Sequence, residues 1–388
     1  MMLRHSLSLG ATCLLTAILL AAVTSFGMDG AVPPSGRKPL VIGYVASWKA
    51  YEPGFRMADL RTKGLTHIIY AFGKVGPDGT VSLGDPCIDV GACGDGERPF
   101  GLAGNFAALA SLKKRNPDLK VLVSLGGWQG SGSFSDAAAS KAGRYRMART
   151  AIQTYIDPYP GLFDGFDIDW EFPVEGGLED NSHRPADKAN FTALMTAFRD
   201  TLDEAGAAKG RRYLLSAAVS ADLPNLANLQ PKRLSRVVDW LSVMTYDYHA
   251  DSDETAFNAP LFPAEGDPDR EMNADASIRA YLRYVDPAKL VLGLPFYGRL
   301  YSGVDEDRNG LFQPGTPGDP DGGLPAEMDY RQLRQSSISR NGFLRFWSAR
   351  ARCLGSSIAK PDCGSPTTIR TRCSGRRVTR EMQDSLAS

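Results

Sequence analysis

The chain has 388 residues and carries 44 basic against 44 acidic side chains, so its formal charge at neutral pH is zero. That length allows one large domain or two average ones. The charge balance offers nothing to attract nucleic acid or an anionic membrane, and it leaves a neutral carbohydrate or small molecule as the natural partner.

The N-terminus reads as an export signal. Arg4 and His5 form a short basic start, Ala11 to Val23 is almost wholly apolar, and small and polar residues follow through Thr24, Ser25 and Gly27. This order predicts a signal peptide over residues 1–27, and with it secretion to an extracellular or periplasmic space. The apolar run is shorter than the about 20 residues of an ordinary membrane span. A buried N-terminal helix or an uncleaved anchor is the other reading. Export makes the cysteines interpretable. Cys13 would leave with the signal, and Cys87 and Cys93, flanking a short Gly-containing segment, are expected to close a local disulfide. No Cys or His pair has zinc-site spacing, so neither a metal nor a cofactor is expected.

Residues 28–39 read as a linker around the run Val32–Gly36. Beyond it, mostly apolar segments predict parallel strands buried on both faces at Leu40–Trp48, Leu65–Gly73, Lys120–Trp128, Phe163–Phe172, Tyr213–Ala221, Leu241–Tyr248 and Leu290–Tyr297. Helical patterning lies between them, for example at Phe106–Arg115, Asn190–Ala205 and Asp275–Tyr284. This alternation predicts an α/β domain over residues 40–351, either a (β/α)8 barrel or a doubly wound sheet. Gly43-Tyr44-Val45-Ala46 does not supply a dinucleotide-binding glycine turn, which favours the barrel. Only seven strands are visible, and the eighth is expected to be missing. The Gly, Pro and Asp texture from Tyr301 to about Trp347 predicts a small α+β insertion after strand seven, spanning about residues 300–351.

The segment Asp164-Gly165-Phe166-Asp167-Ile168-Asp169-Trp170-Glu171-Phe172-Pro173 carries the chemistry. Alternate side chains of a strand share a face, so Asp167, Asp169 and Glu171 would point into the barrel. Phe166, Ile168, Trp170 and Phe172 would face the helices. Pro173 ends the strand and leaves Glu171 at the C-terminal rim, where barrel active sites are built. Asp164 is out of phase and reads as a supporting residue. Three carboxylates on one inward face cannot all ionise, so at least one pKa must be raised, which suits Glu171 to general acid work. A divalent-metal site and an exposed acidic edge strand are the competing readings.

This segment resembles the D-x-x-D-x-D-x-E signature of the family-18 glycoside hydrolases of chitinase type, matched at Asp164, Asp167, Asp169 and Glu171. Ser124-Leu125-Gly126-Gly127-Trp128 resembles the family's third-strand motif, and Met244-Thr245-Tyr246-Asp247 its sixth-strand motif. Gly293-Leu294-Pro295-Phe296-Tyr297-Gly298-Arg299 resembles the seventh-strand motif, and Asn258-Ala259-Pro260-Leu261 is also family-like. The resemblance implies endo-acting, substrate-assisted hydrolysis of β-1,4-linked N-acetylglucosamine polymers such as chitin, with retention at the anomeric carbon. Glu171 would protonate the glycosidic oxygen, and Asp169 would orient the substrate's acetamido group, swinging between Asp167 and Glu171. Tyr246 and Asp247 would hold that group from the far side, while Tyr44, Phe72, Trp128, Met244, Tyr297 and Arg299 would line the sugar sites. A monomer is expected. An endo-β-N-acetylglucosaminidase acting on glycans and a non-catalytic sugar-binding relative remain as alternatives.

The resemblance is expected to stop after Trp347, where the chain turns to Arg, Ser, Thr and Cys with no strand pattern. Shifting the codons by one base, with unconstrained bases chosen freely, lets Cys363–Cys373 read WITYDDPDTL, which is similar to the family's ending. A change of reading frame near Ala351 or Arg352 is therefore expected, leaving residues 352–388 aberrant and Cys353, Cys363 and Cys373 without disulfide meaning. A barrel short of one strand would have two open edges, so the chain as written is expected to fold poorly and work weakly.

Overall fold

Near-continuous apolar runs bounded by turns build a parallel sheet whose strands are hidden on both faces. In the computed structural model, which describes residues 39–93, 104–250, 252–318, 325–336, 344–358 and 367–372, these runs form eight strands. They are β1 (Ile42–Ala46), β2 (His67–Val75), β3 (Val81–Ser82), β4 (Lys120–Gly126), β5 (Gly165–Asp169), β6 (Leu214–Ser220), β7 (Trp240–Met244) and β8 (Leu290–Leu292). Seven of them run parallel in the order β1-β2-β4-β5-β6-β7-β8, with β3 folded back on β2 as an antiparallel hairpin. The expected signal segment, most of the linker, Cys13, Cys363 and Cys373 lie outside the described residues.

The sheet curls strongly. Its inward face carries one apolar layer of Ile69, Leu122 and Trp240, against which Ile42, Leu214 and Val291 pack. That layer draws on six of the seven parallel strands, and the two edge strands β1 and β8 both contribute to it. The described part is thus a parallel half-barrel, with side chains filling its interior as in layered barrels. No described strand joins β8 to β1, and these edges are only partly buried, whereas the inward and outward residues of β5 are all hidden.

Helices cover the outer face. Phe166 meets Phe198 of the helix Asp187–Lys209 at 5.9 Å between ring centroids, and Trp170 meets Phe191 of the same helix at 5.7 Å. Phe172 was expected on this face but lies instead beside Trp128, 6.5 Å away on the rim. The strand ends at Asp169, so the alternation that places Phe166 and Ile168 no longer governs residue 172. Several strands stop short of their sequence-predicted ends in the same way, because the chain leaves the ladder at the C-terminal rim to form loops.

A second, antiparallel sheet follows. It comprises β9 (Tyr297–Val304), β10 (Thr316–Pro317), β11 (Glu327–Asp329), β12 (Leu344–Ser348), β13 (Cys353–Ile358) and β14 (Thr367–Arg372), in the order β10-β9-β14-β13-β12 with β11 also on β9. This corrects the expectation that no strand follows Trp347. Thr367-Thr368-Ile369-Arg370 is rich in β-branched residues, which suit a pleated surface, and it finds partners in β9 and β13. Ala351 and Cys353 are fully buried with Phe257, Ala259 and Ala264, and the Ala351 carbonyl accepts from Leu261 N–H at 2.9 Å. Cys353 is disulfide-bonded, a second correction to the reading of the tail. Cys87, in the short helix Pro86–Val90 after β3, is joined to Cys93 as a disulfide.

Asp164 anchors the entry to β5. Its carboxylate accepts from Lys113 at 2.6 Å, Arg211 at 2.7 Å and the Val121 N–H at 2.8 Å, and its side chain is 5% exposed. Removing one partner of a buried, paired charge leaves the others uncompensated. Asp164→Asn is expected to lower unfolding free energy by about 3 kcal/mol, read by denaturant titration, while leaving the chemistry at the far end of the strand unchanged in the folded fraction.

Candidate active site

The registers of three strands place the polar groups at one level. Asp167 on β5 lies opposite Ser124 on β4 and Ser216 on β6. Ser124 Oγ donates to Asp167 Oδ2 at 2.8 Å, Ser216 Oγ donates to Oδ1 at 2.6 Å, and Tyr44 Oη on β1 adds a third bond to Oδ2 at 3.2 Å. Burial raises the Asp167 pKa, and the hydroxyl donors oppose that rise. Tyr44 is 45% exposed as a residue, but its hydroxyl end sits on Asp167. Burial first, then the charges of Asp167 and Asp169, push that hydroxyl's pKa well up.

Asp169 stands one level higher. Its backbone carbonyl accepts from Gly127 N–H at 2.8 Å, and Gly126 must lack a side chain, because a Cβ there would lie 2.1 Å from that oxygen. Gly126 also takes φ of 111°, a left-handed backbone that favours glycine. Asp169 Oδ1 is buried without a hydrogen-bond partner. Burial, then the neighbouring Glu171 and Asp167, drive its pKa well above the carboxylate range. Glu171 follows two residues beyond the strand end. Burial, then the charge of Asp247, push its carboxyl up to about 7. The column therefore holds protons at neutral pH that isolated carboxyls would have lost.

Across the chamber, the loop after β7 carries Tyr246 and Asp247. Asp247 takes φ of 59°, a left-handed conformation that Asp tolerates better than most side chains. Its Oδ2 accepts from Tyr297 Oη at 2.6 Å, and its Oδ1 accepts from Arg299 Nη2 at 3.0 Å and Nε at 3.3 Å. Strand β9 thus fixes the Asp247 carboxylate from behind. The Tyr246 ring stands edge-on to Tyr297 at 6.3 Å and packs against the cluster containing Phe257 and Cys353. Burial, then Asp169 and Glu171, raise the Tyr246 hydroxyl pKa.

Aromatic faces flank this centre. Phe72 stacks on Trp48 at 6.0 Å, Trp128 is 45% exposed, and Met244 ends β7 half-buried. Every site residue expected from the sequence other than Asp164 lies on this C-terminal rim or in the layer beneath it. Asp164 sits at the opposite end of β5, bound to Lys113 and Arg211. Sequence reasoning missed Ser216, Ser131, Asn181 and Trp48. For Ser216 there was a signal, a hydroxyl inside the otherwise apolar run Leu214–Val219, but its meaning depended on register. Among the described residues, no group of three or more His, Cys, Asp or Glu side chains could hold a metal ion.

Comparison with known proteins gives this geometry a context. The family model described as Glycosyl hydrolases family 18 matches residues 40–366, running past the point at which the resemblance was expected to end. Chitinase A1 of Niallia circulans is 37% identical over 380 residues, covering 87% of this chain and 54% of that protein. Chitinase C of Streptomyces lividans is 33% identical over 338 residues, covering 81% of this chain and 51% of its own length. The chain thus spans about half the length of these curated relatives. Chitinase ChiA74 from Bacillus thuringiensis superposes with a TM-score of 0.78 at 30% identity, covering 87% of this chain and 62% of that one. The catalytic domain of psychrophilic chitinase B from Arthrobacter TAD20 gives a TM-score of 0.76 at 28% identity, over 89% and 88% of the two chains.

The raised Glu171 pKa has a consequence for stability. An unfolded Glu titrates at about 4.3, whereas burial pushes the folded group up to about 7. The protonated group's contribution is fully present below the unfolded value and is lost as pH rises through 7. Glu171→Gln removes this loss, so the variant is expected to melt a few degrees above the parent at pH 8. Thermal melts across pH should show the gap closing toward pH 4; a gap independent of pH would exclude Glu171 as the titrating group.

Proposed function

The chain belongs to glycosyl hydrolase family 18, and on that premise we propose that it cleaves β-1,4 linkages within polymers of N-acetylglucosamine, chitin and its oligosaccharides, after export from the cell. The observation that carries this reading is the column Asp167, Asp169 and Glu171, buried at the two aspartates, partly buried at Glu171, and ending in a carboxyl whose pKa is pushed up to about 7. Such a group keeps its proton in a substantial fraction of molecules at neutral pH and can give it to a leaving oxygen.

In the proposed reaction the sugar to be cleaved lies between Glu171 and Asp247. Glu171 passes its carboxyl proton to the glycosidic oxygen. The carbonyl oxygen of the substrate's own acetamido group bonds to the anomeric carbon as the C–O bond to the departing sugar breaks, giving an oxazolinium ion. Asp169 accepts from the acetamido N–H and orients the group, a role supported by its buried Oδ1, which has no protein partner. Tyr246 and Asp247 hold the acetamido group on its other side. Water then attacks the anomeric carbon, and Glu171 takes its proton, restoring both enzyme and configuration. Trp48, Phe72 and Trp128 present ring faces on which further sugars of the chain can stack.

Chitin oligosaccharides provide the first test. Glu171→Gln is expected to lose about a thousandfold in kcat, measured by reducing ends and product chromatography. Release of intact glycans from a glycoprotein in place of chitin-oligosaccharide cleavage would support the endo-β-N-acetylglucosaminidase alternative. The alkaline limb of kcat/KM should fall near pH 7, where Glu171 loses its proton. Asp247→Asn removes a charge that raises this pKa, so the limb should move to lower pH; a limb that stays in place would separate it from Glu171. The chain as written is expected to cleave more slowly than a version with the reading frame restored from Ala351, assayed side by side.

A further inference from the structure

Glu171 lies two residues beyond the last ladder position of β5, so the sheet does not hold it. Its peptide groups are gripped from two loops instead. The Glu171 N–H donates to Ser131 Oγ at 2.8 Å, and the Glu171 carbonyl accepts from Asn181 Nδ2 at 3.1 Å. Ser131 is 1% exposed, and its single hydroxyl proton faces two carbonyl oxygens, Gly127 O at 2.9 Å and Asp169 O at 3.2 Å. One side chain therefore ties the backbone of Glu171 to that of Asp169 and to the loop bearing Trp128.

The second loop fits as closely. At Gly177, φ is 79°, and a Cβ would lie 2.2 Å from the Glu171 carbonyl oxygen and 2.7 Å from Asn181 Nδ2. The two loops are fastened to each other outside the chamber. Ser182 N–H donates to Gly132 O at 3.3 Å, while Ser182 Oγ and Arg184 Nη2 both donate to Asp136, at 2.9 and 2.5 Å. Neither Ser131 nor Asn181 bonds to the side chain of Glu171, Asp169 or Asp247.

We infer that Ser131 and Asn181 are positioning residues, a clamp on the peptide groups flanking Glu171 that keeps its carboxyl aimed at the scissile oxygen. This rests on the reading of Glu171 as proton donor. A misplacement of about 1 Å at such a group can cost about a hundredfold in rate, so losing one of two grips gives a smaller but measurable loss. The loss falls on proton donation and therefore depends on the leaving group. A sugar leaving group needs the proton, whereas an activated aryl leaving group departs with little help.

Ser131→Ala and Asn181→Ala are made in the full chain and in the frame-restored version, and each is assayed on a chitin oligosaccharide and on an activated aryl glycoside of the same sugar. The expected result is a fall in oligosaccharide kcat of about tenfold to thirtyfold, with KM little changed. The fall on the aryl glycoside should be less than about threefold, and Ser131→Thr, which keeps the hydroxyl, should recover most of the activity. An equal fall on both substrates, or a rise in KM with kcat retained, overturns the clamp. Glu171→Gln separates this from the underlying reading. If that variant shows no leaving-group dependence, the proton-donor assignment fails; if it does and the clamp variants do not, only the clamp fails. Thermal melts are run on all variants, and if Ser131→Ala does not fold, Asn181→Ala, in the less buried loop, carries the comparison.

Discussion

A carboxylate in the centre of a protein must be paired, hydrogen-bonded or neutral, and the arrangement around Asp167 is built on that requirement. Its neighbours on either side are serines, placed opposite it by the registers of β4 and β6, and a tyrosine hydroxyl reaches over from β1. These donors let a carboxyl group sit fully buried above the apolar layer of Ile69, Leu122 and Trp240. With Asp167 held, Asp169 has a neighbouring acid beneath it and Glu171 above it, and burial before any other cause raises the pKa of each acid in the column. The sheet's curvature matters here as much as its register, since only a curled sheet brings Tyr44 and Tyr246 to the same interior.

The acid column was legible in the sequence because its signal is local: a period of two, apolar residues between the acids, and a proline just beyond. The seven parallel strands were legible for the same reason, as long apolar runs. What the sequence did not show depends on contacts between distant segments. Ser131 and Asn181 lie 40 and 10 residues from Glu171 in the chain, in loops whose courses no periodicity specifies. The side of the sheet on which Phe172 lies was misread, because alternation was extended past the point where the strand ends. Strands β13 and β14 were missed since neither Cys353–Ile358 nor Thr367–Arg372 carries a continuous apolar run, and the strands that pair with them, β12 and β9, lie elsewhere in the chain.

Two kinds of support hold the site, and they differ in physical character. The floor and the acid column are carried by strands whose partners are fixed through continuous ladders. The rim is carried by loops, with Asp247 clasped by Tyr297 and Arg299 and Glu171 by hydroxyl and amide groups on its backbone. A strand-borne group such as Asp167 needs rigidity in order to remain buried with its hydrogen bonds intact. The two loop-borne groups are held differently: Asp247 is fixed through its carboxylate oxygens, whereas the bonds from Ser131 and Asn181 reach Glu171 at its backbone and not at its carboxyl.

The second sheet is joined to the chamber in a way its position in the chain conceals. Tyr246 rests its ring on a cluster whose other members include Ala351 and Cys353 of that sheet's later half, and β9 supplies both residues that clasp Asp247. The wall formed by Tyr246 and Asp247 is thus backed from outside the parallel sheet. In evolutionary terms the second sheet is no interchangeable accessory: a lineage that trimmed or exchanged it would have to find new backing for Tyr246 and a new anchor for Asp247 in the same step.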